Sequence, residues 1–560
     1  MKYFSSAFTI LLTIAISSFA QDRIGTDNLY HIQDSVLIPT SSGIDISAII
    51  VRKQTHTEAS PAVLFYTTYY QGERDNFFGK LSADRDYVGV VAYARGIRTD
   101  GKHYTPYENE QTDIYDIIDW ISKQKWCNGK VGMYGGSYTG FSQWSTVKNI
   151  HPALKTIVPQ VAVMPGFDFP MQNNAQLGFE LNWSHTNIYG KENIDRSHVW
   201  EWYEQGYAYS KMDSALGYTN LHFQKWLQHP AYDDYWKSLV PTPEEYANIN
   251  IPVLSTTGYF DGPQISAVEY FTLHNKYNPN ANHYLVIGPY DHWGGQGNPT
   301  LNYRGYKIDS VANLSMRTLA YDWLDWVLKD DPKPEILKDR VNIQVMGTNT
   351  WRHEPTLEAM NNNVLRMYLN ETNLSLSKHE IHSFQKQTID FTDRDGMNVY
   401  YHPDLIVDSL DAGNGLVFST DVFDDEFTIN GAFKGKLALV TNKKDMDISI
   451  SFFEQTPDGK YFMLSRYFGR ASYAKDNSKR QLLSPNQKEF IPLNASHIVS
   501  KIIKKGSRFV IVVNVNKHPF EVINYGSGKN PVDETIEDAG DPMEIKWYND
   551  SYIEIPIWKN

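Results

Sequence analysis

The chain has 560 residues, too many for a single hydrophobic core, so two or three domains are expected. Its formal net charge is −13 and it has no basic cluster, which argues against a nucleic-acid partner because phosphate binding needs grouped Lys and Arg side chains. Cys127 is the only cysteine, so no disulfide can form within the chain.

Residues 1–20 have the pattern of a secretory signal peptide. Lys2 supplies the positive start, residues 7–16 the apolar stretch, and Ser18-Phe19-Ala20 the small-residue cleavage site. The apolar stretch is too short to span a bilayer comfortably, and no later segment is long and apolar enough to do so. We therefore expect cleavage near Ala20 and an exported protein, periplasmic or secreted, without a membrane span in the mature chain. An uncleaved anchor is the alternative.

Strand-like and helical patterns alternate in the next part of the chain. Apolar runs at 36–37, 44–51, 63–66 and 88–92 predict strands, and a helix follows in which isoleucines recur at intervals of three and four residues, at Ile114, Ile117, Ile118 and Ile121. Asp113, Asp116 and Asp119 occupy the remaining face of this helix. Such alternation predicts an α/β fold with a parallel sheet covered by helices on both sides.

The segment from Gly129 to Gly140 holds the first candidate for chemistry. An apolar strand runs into Gly135-Gly136-Ser137-Tyr138, and helix-compatible residues follow. A serine on such a strand-to-helix turn is typical of the nucleophile elbow of α/β-hydrolases, whose flanking glycines avoid a collision with the neighbouring backbone. The general pattern is G-x-S-x-G, but Thr139 stands at its last place and glycine comes one residue later. For this motif taken alone, a plain turn is the alternative.

Between residues 165 and 249 strand signals fade and aromatic helical stretches appear, with Trp183, Trp200, Trp202, Trp226 and Trp236. This interval follows the serine, at the place where such hydrolases insert a cap, so we expect a helical cap over the site. A cap lined by aromatic side chains would favour bulky acyl or leaving groups, although most of these tryptophans are expected simply to pack the cap.

Two further strand-like runs end in loops that carry an acid and a base. The run 252–258 leads to Asp261, and the run 283–287 leads to His292. Ser137, Asp261 and His292 have the chain order of the α/β-hydrolase triad, and loops at the carboxyl ends of parallel strands meet at one edge of the sheet. We predict Ser137 as the nucleophile, His292 as its base and Asp261 as the carboxylate that orients the imidazole. A turn aspartate and a loop histidine are the alternatives for the latter two taken singly.

The last part of the chain has a different pattern. An amphipathic helix closes the catalytic region with Leu319, Trp323, Leu324, Val327 and Leu328, and Asp330-Asp331-Pro332-Lys333-Pro334 follows as a linker. Short alternating strands separated by turn residues then continue to the end, beginning with 341–345 and including 437–440, 448–453 and 509–513. We predict a catalytic domain at 21–164 and 250–330, a helical cap at 165–249 and a β-sandwich at 340–560.

Several of these segments resemble one known family, the CocE/NonD hydrolases, which includes esterases, acylases and X-prolyl dipeptidyl peptidases. The family elbow G-x-S-Y-x-G fits the residues around Ser137 and accounts for Thr139. The acid motif G-[YW]-[YFW]-D fits Gly258-Tyr259-Phe260-Asp261, and the histidine motif G-P-[WY]-x-H fits Gly288-Pro289-Tyr290-Asp291-His292. The resemblance covers nearly the whole mature chain and implies an α/β-hydrolase domain with a helical cap, followed by a jelly roll.

The resemblance also implies an oxyanion hole formed by the backbone N–H of Tyr138 and a tyrosine hydroxyl that follows the first core strand. Counting from Pro61 gives Tyr69. The family usually has Arg/Asn-Pro-Tyr there, whereas this chain has Thr67-Thr68-Tyr69-Tyr70, so Tyr70 is a rival and a packed core tyrosine a further alternative.

One departure from the family concerns the substrate. The α-amino-acid ester hydrolases of this family carry extra carboxylates just after the triad aspartate, where this chain has Gly262-Pro263-Gln264. This absence argues against an α-amino ester or a free N-terminal dipeptide as the preferred substrate.

Together these features predict an exported serine hydrolase that cleaves a small-molecule ester or amide through an acyl-enzyme intermediate. No metal-binding or nucleotide-binding motif is present, so no cofactor is expected. Two alternatives are an X-prolyl dipeptidyl peptidase and a catalytically inactive carbohydrate-binding protein that uses the aromatic-rich sandwich.

Overall fold

The computed structural model describes residues 27–99, 104–378, 383–395, 403–494 and 496–559. The predicted signal peptide, 1–20, lies outside these residues. Among the residues described, no helix has both the length and the apolar composition needed to cross a bilayer.

The described residues up to Glu354 contain fourteen strands: β1 (Tyr30–Pro39), β2 (Asp45–Lys53), β3 (Ser60–Thr67), β4 (Val88–Tyr93), β5 (Cys127–Gly136), β6 (Leu154–Gln160), β7 (Met171–Gln172), β8 (Ala175–Gln176), β9 (Val253–Gly258), β10 (His283–Gly288), β11 (Asn302–Tyr303), β12 (Tyr306–Lys307), β13 (Val341–Val345) and β14 (Thr350–Glu354). β7–β8 and β11–β12 form small hairpins, and the other strands form one sheet in the order β1-β2-β4-β3-β5-β6-β9-β10-β13-β14. The strands from β4 to β13 in this order are mutually parallel, so their carboxyl ends meet at one edge.

The part of this region that the structure describes also holds eleven α-helices: α1 (Asn76–Asp84), α2 (Glu110–Ser122), α3 (Tyr138–Thr146), α4 (Glu180–Asn187), α5 (Arg196–Gln205), α6 (Met212–Ala215), α7 (Leu221–Leu227), α8 (Asp234–Leu239), α9 (Pro243–Ala247), α10 (Gln264–Tyr277) and α11 (Met316–Lys329). Successive strand residues point to opposite faces of the sheet. Leu64 and Met133 pack with the isoleucines of α2, whereas Val63 and Tyr134 pack with α11. Helices therefore cover both faces, which confirms the predicted α/β fold.

One aspartate of α2, Asp113, departs from the expected polar face. Asp113 is buried, and the Arg95 guanidinium donates to it with Nε 2.9 Å from Oδ2. Burial raises the pKa of the Asp113 carboxyl, and Arg95 opposes this shift. The periodicity of the helix could not reveal this pairing because Arg95 comes from the loop after β4, well before the helix.

Six helices, α4 to α9, occupy the interval between β6 and β9, together with the β7–β8 hairpin. Three tryptophans of this interval are almost completely buried: Trp183, Trp226 and Trp236. Trp183 of α4 lies beside Tyr107 and Tyr138, with ring centroids 5.8 and 6.2 Å away. The helices thus pack against the region that carries Ser137.

The start of the sandwich was placed too early by the sequence analysis. Residues 341–345 form β13, which pairs in parallel with β10 through Leu285–Val341 and Ile287–Ile343, and therefore belongs to the first sheet. All five residues of β13 are buried. A short apolar run fits either sheet equally well, so its pattern could not decide between them.

In the sandwich, the residues with a described structure form fourteen strands: β15 (Asn363–Asn370), β16 (Asn373–Ser375), β17 (Phe384–Ile389), β18 (Ile406–Val407), β19 (Leu416–Ser419), β20 (Phe427–Ala432), β21 (Lys434–Thr441), β22 (Asp447–Gln455), β23 (Tyr461–Arg470), β24 (Lys488–Leu493), β25 (Ile498–Ile503), β26 (Arg508–Val515), β27 (Met543–Tyr548) and β28 (Tyr552–Trp558). Its core is continuous with residues of the first sheet, including Leu285 and Ile343. The main chain continues this contact, because Met346 N–H donates to Ser500 O over 3.0 Å and Ile502 N–H donates to Met346 O over 3.1 Å.

Candidate active site

Ser137 is the single residue between β5 and α3. Its backbone angles are φ 62° and ψ −123°, a strained conformation for a residue with a side chain. Its neighbours leave no room for larger residues. A Cβ on Gly136 would lie 2.2 Å from Gln296 Oε1, and a Cβ on Gly140 would lie 2.8 Å from the Cβ of Ala162. Glycine is therefore needed at 140, one place later than in the general pattern, because this turn of α3 packs directly on the chain that follows β6.

Asp261 and His292 are in direct contact. Asp261 follows β9, its side chain is fully buried, and its Oδ1 lies 2.8 Å from His292 Nδ1. The Thr257 hydroxyl donates to the other carboxylate oxygen over 2.7 Å. With Asp261 ionised, Nδ1 carries the proton and Nε2 is left as the basic nitrogen.

The surroundings of His292 act on its pKa in opposite directions. Burial favours the neutral imidazole and lowers the pKa, whereas the hydrogen bond and the charge of Asp261 raise it. The net result is a pKa above the ordinary value for histidine. Asp261 therefore stabilises the imidazolium that forms when His292 takes a proton.

The loop of His292 reaches Gly136, the residue before the serine. β5, β6, β9 and β10 are successive neighbours in the sheet, and Ser137, Asp261 and His292 follow three of them at the same edge. Gln296 joins the two sides: its Nε2 donates to the His292 carbonyl over 2.9 Å, and its Oε1 occupies the space above Gly136. The three candidate residues thus follow strands that end at the same edge of the sheet, and Asp261 and His292 are in direct contact.

Tyr69 and Tyr70 have different surroundings in the structure. The Tyr69 hydroxyl lies 3.4 Å from Ser137 Oγ and accepts a hydrogen bond from Trp183 Nε1, also at 3.4 Å. Burial raises the pKa of the Tyr69 phenol, and contacts with Ser137, Trp183 and the backbone of Tyr138 oppose this shift. Tyr70 instead is 55% exposed and its ring lies against Tyr93. Of the two rivals, Tyr69 is the one beside the serine.

A buried acid beneath Tyr138 was missed by the sequence analysis. Glu110, the first residue of α2, accepts hydrogen bonds from the Tyr138 hydroxyl and from the backbone N–H groups of Tyr107 and Asn109. Burial is the main cause that raises the pKa of the Glu110 carboxyl to about 7. Its only signal in the sequence is an acidic residue at the start of an amphipathic helix, a very common position for one.

A second buried acid, Asp168, lies on the chain that follows β6. Its Oδ1 accepts the Met164 N–H over 2.8 Å. Burial, aided by the negative charge of Asp261, raises the pKa of the Asp168 carboxyl to about 7. Asp168 in turn acts on the charge of His292, so it belongs to the electrostatic environment of the site.

A cavity of about 360 Å³ lies where the loop of Asp261 meets the sandwich. Its wall combines aromatic and polar side chains, among them Phe260, Arg304, Ser465, Arg466, His497 and Phe520. Its volume is in the range of small-molecule pockets, roughly 300–1,000 Å³. Among the described residues, no group of three or more His, Cys, Asp or Glu side chains is arranged to hold a metal ion.

A parallel sheet with serine, aspartate and histidine loops at one edge, a helical insertion and a β-sandwich define an α/β-hydrolase with an appended all-β domain. The family model "X-Pro dipeptidyl-peptidase (S15 family)" matches residues 42–294, and the model "X-Pro dipeptidyl-peptidase C-terminal non-catalytic domain" matches residues 337–542. The chain belongs to the CocE/NonD family of hydrolases, the family that its motifs resemble.

The matches to individual relatives cover nearly the whole chain. It is 22% identical to the cocaine esterase of Rhodococcus sp., over 95% of this chain and 100% of that protein. An aminopeptidase from the marine sediment archaeon Thaumarchaeota archaeon superposes with a TM-score of 0.81 at 20% identity, covering 96% of this chain and 97% of the other. An α-amino acid ester hydrolase superposes with a TM-score of 0.77 at 20% identity, covering 97% and 100%. These structural likenesses show a shared fold.

Proposed function

We propose that this protein is a serine hydrolase that cleaves a carboxylic ester or amide through an acyl-enzyme intermediate. The observation that carries the proposal is the contact of Asp261 with His292 on the loop that reaches over Gly136, next to Ser137. The Tyr69 hydroxyl beside Ser137 Oγ supports it. The similar proteins include an esterase and an ester hydrolase, in agreement with this reaction.

In the proposed reaction His292 Nε2 takes the proton of Ser137 as Oγ attacks the substrate carbonyl. The Tyr138 backbone N–H and the Tyr69 hydroxyl donate to the oxyanion of the tetrahedral intermediate. His292 then protonates the leaving alcohol or amine, and the acyl group remains on Ser137. A water molecule activated by His292 releases the acid and restores the serine.

Labelling with a fluorophosphonate tests this proposal, because the reagent reacts with an activated serine. We expect the wild type to be labelled and to hydrolyse simple aryl esters, and Ser137→Ala to do neither. His292→Ala should lose about 10³-fold or more in turnover while its thermal unfolding stays close to that of the wild type. A folded wild type that is neither labelled nor active on esters, acyl amides or peptides would favour the inactive binding protein instead.

A substrate with a free amino group is the second candidate, and Asp168 favours it. A buried carboxyl with a pKa of about 7 is only partly ionised at neutral pH, and an ammonium group beside it would favour the carboxylate. The X-Pro dipeptidyl-peptidase domain models and the aminopeptidase of similar fold point to the same class. Release of a chromophore from a glycyl-prolyl anilide would support this candidate, and brisk turnover of aryl esters without such release would remove it.

Export remains a separate proposal that rests on residues 1–20 alone. Expression of the full chain in a Gram-negative host should give a protein in the periplasm or medium whose N-terminus is Gln21. An intact N-terminus at Met1 in the membrane fraction would favour the uncleaved anchor.

A further inference from the structure

The loop that carries Asp261 is held by the sandwich as well as by its own domain. Gln264, the first residue of α10, is fully buried and bridges the two. Its Nε2 donates to the carbonyl oxygens of Gly258, over 3.0 Å, and Ile498, over 2.9 Å. Its Oε1 accepts the Ile498 N–H over 2.6 Å. All three hydrogen bonds of this amide go to main-chain atoms.

Gly258 is the last residue of β9, and its carbonyl also accepts the Asp261 N–H over 3.2 Å. The Gln264 N–H in turn donates to the Asp261 carbonyl, again over 3.2 Å. Gln264 therefore makes hydrogen bonds to both ends of the turn that carries Asp261. Its side-chain amide bonds to Gly258, and its backbone N–H bonds to Asp261.

The neighbouring residue of the sandwich makes a second contact of the same kind. His497 is buried, and its Nε2 lies 3.2 Å from the carbonyl oxygen of Gly262. A carbonyl oxygen only accepts, so Nε2 carries the proton and donates. Burial, followed by the charge of Arg466, lowers the pKa of His497 to about 4, which keeps its imidazole neutral at the pH where a hydrolase of this type works.

We infer that Gln264 is a positioning residue for the reaction: with His497 it transmits the position of the sandwich to Asp261, and through Asp261 to His292. The inference rests on the proposed function, in which Asp261 orients His292. If the Asp261 carboxylate is slightly misplaced, the substrate pocket stays intact, but the hydrogen bond between Asp261 and the His292 imidazole becomes weaker. The loss therefore falls on kcat and leaves KM nearly unchanged.

The test uses Gln264→Glu in the full-length chain, with aryl-ester kinetics normalised to the sites titrated by a fluorophosphonate. A glutamate keeps the acceptor for the Ile498 N–H, but when ionised it faces two carbonyl oxygens and has no donor for either. When protonated it regains one donor. We expect kcat to fall by about tenfold or more at pH 8, KM to stay within about twofold, and the deficit relative to the wild type at the same pH to shrink at pH 6.

Gln387→Glu is the matched control. Gln387 is also a buried glutamine with three hydrogen bonds: it donates to the Asn414 carbonyl and Asn514 Oδ1, and it accepts from Trp547 Nε1. All of these partners belong to the sandwich. This variant should lose thermal stability but keep a wild-type kcat per titrated site at both pH values.

His497→Phe guards against failure of Gln264→Glu to fold, because it removes the donor to Gly262 and keeps an aromatic ring at this position. We expect kcat to fall by about threefold to tenfold at unchanged KM. If Gln264→Glu or His497→Phe folds and keeps the wild-type kcat per titrated site, the inference is overturned. A wild type that neither turns over nor is labelled instead overturns the proposed function, and the positioning role with it.

Discussion

At the scale of single residues, Tyr69, which the sequence favoured as the oxyanion donor, and its rival Tyr70 have different environments. Tyr69 touches Ser137 and Trp183, whereas Tyr70 packs on Tyr93 and faces solvent. A hydroxyl that donates to the developing oxyanion stabilises the transition state more than the bound substrate. Tyr69→Phe should therefore lower kcat by about 10²-fold to 10³-fold with little change in KM, measured as initial rates on an aryl ester.

Tyr70→Phe is the control for this prediction, since it removes the same atom one residue along the chain. We expect it to keep kcat within about twofold of the wild type. A larger loss in Tyr70→Phe than in Tyr69→Phe would show that the donor was assigned to the wrong tyrosine.

At the scale of structural elements, Glu110 joins the start of α2 to the start of α3. Its carboxyl has a pKa of about 7 in the folded protein, against an ordinary value of 4.5. The folded state therefore binds more protons than the unfolded state between these values, and the free energy of unfolding falls as the pH rises through this window. The shift corresponds to at most about 3 kcal/mol between pH 4 and pH 8.

Glu110→Gln removes this titration. The difference in free energy of unfolding, wild type minus variant, should be largest at and below pH 4.5 and should decrease toward pH 8. Denaturant unfolding at several pH values measures it. Two curves that run parallel from pH 5 to pH 8 would mean that Glu110 does not titrate in that window.

The sequence predicted those parts of the fold that depend on local pattern. The isoleucine spacing of α2 and the order of the strand-end loops follow from single segments, so the α/β sheet and the gathering of Ser137, Asp261 and His292 at one edge could be inferred. The burial of Asp113, Glu110 and Asp168 could not, because a carboxylate is buried only where distant residues supply donors or surround it. The membership of β13 in the first sheet was missed for the same reason. Its apolar sequence fits either sheet, and only the pairing with the distant strand β10 determines which sheet it joins.

At the scale of the whole molecule, the β10–β13 side of the first sheet contributes residues to the hydrophobic core of the sandwich, and main-chain hydrogen bonds between Met346 and β25 join the two parts. We therefore expect the two to unfold together. Ile503 of β25 is 1% exposed within this shared core. Ile503→Ala should destabilise the protein by about 2–5 kcal/mol. The same substitution should lower two temperatures by the same number of degrees: the midpoint of unfolding measured by calorimetry and the temperature at which Ser137 is no longer labelled by a fluorophosphonate.

Val417→Ala tests whether the effect is specific to the shared core. Val417 lies on β19 of the sandwich but is 40% exposed, so its truncation should change stability by only about 0.5 kcal/mol or less. If Ile503→Ala instead shifted a separate sandwich transition while labelling of Ser137 persisted to the wild-type temperature, the domains would unfold independently. In that case the hydrogen bonds of Gln264 to Ile498 and of His497 to Gly262 would be lost while Ser137 still reacts, so labelling would not depend on the sandwich's hold on the acid loop.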